Sequence, residues 1–69
     1  MRLCGEIAEQ YGLASRELEV LQQLTTGNTK DEIAEALCIS PTTAKTHIRN
    51  IYAKVGVHSH QDLIAKVLE

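Results

Sequence analysis

Apolar residues recur along the chain at helical spacing, and glycine, proline and capping residues separate the runs. Leu18, Leu21 and Leu24, with Val20 beside them, line one side of a helix predicted over 15–25, and Gly27 follows as its left-handed carboxyl cap. In "TKDE", Thr29 stands three residues before Glu32, the spacing of a capping box, and opens a short second helix running to about Leu37 with Ile33, Ala34 and Leu37 on one face. "CIS" then turns the chain to Ser40, which caps a third helix with Pro41 at its first position, where a missing N–H costs nothing. Gly56 ends that helix, and Ser59 with Asp62 starts a fourth over about 60–68. Upstream, "GEIAEQYG" reads as a helical turn or two closed by Gly12, with Ile7 and Tyr11 docking on the core.

The expected fold is therefore all-α: a compact four-helix helix-turn-helix domain over 13–69, preceded over 1–12 by a short extra helical segment or linker. Sixty-nine residues leave no room for a second domain. There is no Trp or Phe and only two Tyr, so the core falls to Leu, Ile, Val and Ala, a mixture suited to packed helices. Cys4 and Cys38 are too few for a disulfide framework or a four-cysteine zinc site, which points to a reducing compartment. No apolar run reaches the roughly 18 residues of a membrane span, and the amino terminus lacks the features of a signal peptide. A cytoplasmic location is expected.

Charge changes the picture once it is divided by segment. The chain carries -2 overall, yet residues 1–40 hold three basic against seven acidic residues, whereas 41–58 hold Lys45, Arg49 and Lys54 against none. Laid out at 100° per residue, Ala44, Ile48, Ile51 and Val55 form a buried stripe on the third helix. Thr42, Lys45, Thr46, Arg49 and Ala53 face away from it, and Thr43, His47, Asn50 and Lys54 line one flank. Short residues alternating with long donors can lie close to a duplex. Lys and Arg reach guanine acceptors, Thr offers a hydroxyl and a methyl, and Asn can pair with adenine or with phosphate.

A short capped helix, a turn of about four residues and a longer helix with a basic outer face make a helix-turn-helix. In that motif the second helix enters the major groove, and the amino end of the first, here Asn28, Thr29 and Lys30, is aimed at phosphate.

From Leu13 to Leu68 the sequence resembles the DNA-binding domain of the LuxR family, also called the NarL/FixJ type. "SRELEVLQQLTTG", "KDEIAEALCIS", "TTAKTHIRNIYAKVGV" and "HSHQDLI" carry the resemblance, in order and without gaps. It implies the output domain of a bacterial transcriptional regulator, with duplex DNA as partner and the helix over 41–55 reading the major groove. Lys45, Thr46 and Arg49 then occupy base-facing positions. Asn28, Thr29, Lys30, Thr42, Thr43, His47, Asn50 and Lys54 are expected at the DNA backbone. Glu17, Leu21 and Gly27 match characteristic positions with structural roles. Two domains often pair on a two-fold site through the last helix, and Leu63, Ile64 and Val67 are the expected pairing residues, because that helix carries more apolar residues than one core stripe needs.

Departures from the family pattern sit at Ala14 and Ser15, where Ser or Thr and then Pro are usual, and at Cys38, where many relatives have Gly. The first costs a cap, on the order of 1 kcal/mol unless Ser15 takes it over; the second places a β-carbon in a turn that favours glycine. The start "MRLCGEIAEQYGLASRE" resembles the junction of regulators with a membrane-embedded amino-terminal half, so an excised fragment is expected over a single-domain regulator. A membrane enters only through such a region.

Other chemistries fare worse. His47, His58 and His60 with Cys38 lack a recognised metal-ligand spacing, so neither metal nor cofactor is expected. A redox pair of Cys4 and Cys38 is weaker than two ordinary thiols. Catalysis needs a cleft, and four short helices without a Gly-rich loop offer little concavity, so enzyme activity is not expected. The alternative from another class is a protein-interaction module, such as a helical domain facing RNA polymerase, which is also a further expected partner of a DNA-bound regulator.

Overall fold

The structure, a computed structural model, describes residues 4–68; residues 1–3 and 69, which begin and end the two expected segments, lie outside it. The described residues form five helices and no strand: α1 (Cys4–Tyr11), α2 (Ser15–Thr25), α3 (Lys30–Ala36), α4 (Pro41–Val55) and α5 (His60–Leu68). The expected limits of α2, α4 and α5 coincide with the observed ones. The second helix stops one residue early, with Leu37 as its carboxyl cap.

Local chemistry sets these limits. Ser40 Oγ accepts from the Thr43 N–H at 3.1 Å, Thr29 Oγ1 from the Glu32 N–H at 3.2 Å, and Ser59 Oγ from the Asp62 N–H at 3.1 Å. At α3 the box is complete, because the Glu32 carboxylate accepts the Thr29 N–H at 2.8 Å. Ala14 holds the N-cap position of α2 with no side-chain cap, so Ser15 does not take over. Only the reciprocal half survives there: the Ala14 N–H donates to Glu17 Oε1 at 2.8 Å.

One carboxyl-terminal device is used four times. Leu13, Asn28, Ile39 and Val57 each donate a backbone N–H to the carbonyl five residues earlier, at 2.9–3.2 Å, the wrapped ending that requires a left-handed residue just before the donor. That residue is glycine at 12, 27 and 56, but at 38 it is cysteine, with φ 57°.

Packing follows the apolar stripes. α4 packs against both α2 and α3, and α1 packs against α2. Ile7, Val20, Leu21, Ile33, Ala44, Ile51 and Leu63 are fully buried in one cluster, with Leu24, Val55, Val57 and Val67 nearly so. Ile48 of the expected stripe is only half-buried at its margin, beside Tyr52. Burial raises the pKa of the Tyr52 hydroxyl, in keeping with a ring at the core rim. α1 shares this core through Ile7, and its Ala8 is also buried.

Candidate nucleic-acid interface

α3, the four-residue turn 37–40 and α4 give the helix-turn-helix its two arms. Burying Ala44, Ile51 and Val55 against α2 and α3 fixes the rotation of α4 about its axis, and the opposite side must then face out. Thr42, Thr43, Lys45, Thr46, Arg49 and Asn50 are all exposed, and His47 is half-buried. Among the described residues, ion pairs link Arg16 to Glu19 and Lys54 to Glu17, so neither Lys45 nor Arg49 is drawn to a carboxylate. Both cations project from a face with no acidic residue on it.

The hydroxyls of this face are partly committed. Thr46 Oγ1 donates to the Thr42 carbonyl at 3.1 Å, and Ser40 Oγ donates to Thr43 Oγ1 at 2.9 Å. At the amino end of α3, Lys30 is exposed, Thr29 serves as the cap, and the half-buried Asn28 donates its side-chain amide to Gln23 Oε1. Asn28 and Thr29 thus hold the turn in shape as well as lying beside Lys30.

Lys54 differs from the other expected backbone contacts. Its ammonium lies 2.7 Å from Glu17 Oε1 and 3.4 Å from the Gly12 carbonyl, so it is turned back toward the start of α2. Glu17 is 4% exposed, the one buried charged residue described. Its pKa is lowered, first by the hydrogen bond from Lys54, then by the Ala14 N–H and the electrostatic influence of Lys54 and His47, against burial that raises it. Helical spacing alone signals the burial, since Glu17 stands four and seven residues before Leu21 and Leu24. The partner, 37 residues away, leaves no such trace.

The pairing residues expected on the last helix need correction. Leu63 and Val67 are 0% and 6% exposed and belong to the domain's own core, so they are not available to a second copy. Ile64 is half-buried, and Leu68, at 59%, is the large apolar side chain left outside. Core packing takes two of the four apolar positions, a division the spacing did not resolve. Cys38 and the three histidines are not gathered into any metal-holding group among the described residues. No described helix is long and apolar enough to cross a membrane.

Residues 11–67 match the family described as "Bacterial regulatory proteins, luxR family". The chain belongs to the LuxR family. Its α3–turn–α4 unit is accordingly the helix-turn-helix of a LuxR-type DNA-binding regulatory domain, and α1 lies almost wholly ahead of the matched region. One relative is the "HTH-type transcriptional regulator MalT" of Cronobacter sakazakii (strain ATCC BAA-894), 42% identical over 59 residues. That match takes in 86% of this LuxR-family chain but 6% of the relative, so the chain spans a small part of that protein's length. No solved structure matches it.

Proposed function

We propose that this domain binds duplex DNA sequence-specifically as the output unit of a bacterial transcriptional regulator, with α4 seated in the major groove. The observation that carries the reading is the exposed, carboxylate-free face bearing Lys45 and Arg49 in a chain of net charge -2. Lys45, Thr46 and Arg49 meet base edges. Thr42, Thr43, His47 and Asn50 from α4, with Asn28, Thr29 and Lys30 at the start of α3, meet the sugar-phosphate backbone.

So few cations support a small, weak single-module interface, so two copies act together on a two-fold or repeated site. Ile64 and Leu68 of α5 are the apolar positions open to that pairing. DNA-bound copies then stand where RNA polymerase can be contacted, and the work is done in the cytoplasm.

Fluorescence anisotropy against a pool of random duplexes across a salt series tests the reading, with a Lys45→Ala/Arg49→Ala double variant alongside. Binding that weakens steeply with salt and drops in the variant supports it. Indistinguishable curves for the two proteins at low salt would instead assign the helix-turn-helix to a protein partner.

A further inference from the structure

Lys54 continues the flank row of Thr43, His47 and Asn50, the row proposed to face phosphate, and its side chain is 40% exposed. An ammonium there could reach a phosphate, but it already has an anion. Glu17 Oε1 holds it at 2.7 Å, with the Gly12 carbonyl a second, longer acceptor at 3.4 Å. The carboxylate cannot turn away at little cost, because it is 4% exposed and the same oxygen accepts the Ala14 N–H at 2.8 Å. Lys54 carries its flexible stem to a fixed anion, so the acceptor decides where the charge sits.

We infer that Glu17 is a positioning residue for the DNA interface, withholding the Lys54 ammonium from the phosphate backbone and so limiting the sequence-independent attraction of a single copy for duplex DNA. The inference rests on the proposed DNA-binding function and deepens it. A phosphate contact adds equally to every sequence. Withholding one leaves base discrimination intact while keeping a lone copy weak, which leaves occupancy to depend on two copies. Phosphate competes poorly with a buried carboxylate but well against a neutral amide, because charge-assisted hydrogen bonds are roughly twice as strong as neutral ones.

The salt dependence of binding to random duplex reads this directly, since each phosphate neutralised adds about 0.9 to the slope of log affinity against log salt. Glu17→Gln, which keeps an acceptor for the Ala14 N–H, is expected to steepen the slope by about 0.9 and to tighten binding at low salt. Lys54→Met keeps the aliphatic stem and is expected to leave the slope where it was. The double variant Glu17→Gln/Lys54→Met is expected to return the slope to the starting value, which no general loosening of the fold would do. An unchanged slope in Glu17→Gln, confirmed folded by circular dichroism, overturns the inference, as does a shallower slope in Lys54→Met alone. Should Glu17→Gln fail to fold, Lys54→Met still decides, because a Lys54 already on phosphate must show the shallower slope. A salt-dependent wild type that the Lys45→Ala/Arg49→Ala variant weakens, but whose slope Glu17→Gln does not move, sinks this inference alone; a wild type without salt-dependent binding sinks the DNA reading with it.

Discussion

The ammonium of Lys54 and the carboxylate of Glu17 meet at 2.7 Å across 37 residues of chain, joining the last turn of α4 to the first turn of α2. The pair is lopsided: the lysine side chain is 40% exposed and the glutamate side chain 6%. Solvent screens such a half-exposed pair, so the attraction itself contributes about 1 kcal/mol or less. Removing one partner is a different matter. Lys54→Met leaves a buried carboxylate short of its cation and should cost about 1–3 kcal/mol, whereas Glu17→Gln keeps the Ala14 bond and frees the lysine into water, at a smaller cost. Urea unfolding of the two single variants and the double variant measures the coupling; additive losses would show that the pair contributes nothing.

Acid should find the same group. The folded chain holds the Glu17 pKa below its ordinary value of 4.5, chiefly through the Lys54 hydrogen bond, so the unfolded chain binds that proton more readily. The stability involved is fully present above about pH 4.5 and is lost as pH falls through the lowered folded value. Thermal unfolding midpoints recorded from neutral to acid pH should fall less steeply below 4.5 in Glu17→Gln than in the wild type. Parallel curves would place the acid sensitivity elsewhere.

Cys38 sits at φ 57° and is exposed, so its side chain fills no part of the core while its β-carbon strains the turn between α3 and α4. A left-handed non-glycine residue costs roughly 1–2 kcal/mol, and glycine gives back about 0.5–1 through the greater freedom of its unfolded chain. Cys38→Gly should therefore stabilise the domain by up to about 1.5 kcal/mol, and Cys38→Val, β-branched at the same φ, should destabilise it. A lower unfolding midpoint for the glycine variant would show that the thiol contributes more than its exposure suggests.

Much of this architecture is legible in the sequence itself, and the reasons are local. Helices α2, α4 and α5 keep their expected limits because each limit is written within a few residues: Ser40 and Pro41 open α4, Gly56 closes it, and Ser59 opens α5. The outward set Lys45, Thr46 and Arg49 follows from where Ala44, Ile51 and Val55 have to go. Long-range choices are not legible. Nothing near Lys54 says that its charge is engaged by Glu17, and nothing within α5 says that Leu63 and Val67, rather than Ile64 and Leu68, are drawn into the core. The docking of Ile7 on the core, by contrast, is legible in "GEIAEQYG", and it is fully buried in the core cluster.

Base reading and backbone contact should separate by substitution. Arg49 and Lys45 are exposed donors without a carboxylate partner among the described residues, so Arg49→Ala and Lys45→Ala should each lower discrimination between a selected site and its single-base variants by about 1–3 kcal/mol where the contact is bidentate. Lys30→Ala should weaken all duplexes alike and make the salt slope shallower by about 0.9. Equal losses on selected and random duplexes for Arg49→Ala and Lys45→Ala would move both residues to the phosphate-contacting set.

Ala14 offers the reverse experiment, repair of a cap that is half built. Its backbone already has the extended N-cap conformation, φ -71° and ψ 165°, and its N–H already donates to Glu17 Oε1 at 2.8 Å. What is missing is a side-chain oxygen to accept the N–H of Glu17, the bond that Thr29 makes to Glu32 at the start of α3. Ala14 is exposed, so a hydroxyl there displaces no core atom. Ala14→Ser should raise stability by about 1 kcal/mol, which for a domain of this size moves the melting temperature by roughly 4–8 °C. The gain should shrink in a Glu17→Gln background, because the two halves of a capping box orient each other and the neutral amide is the weaker acceptor. If Ala14→Ser leaves the melting temperature unchanged, then Glu17, held by Lys54, already fixes the start of α2 without help from a cap.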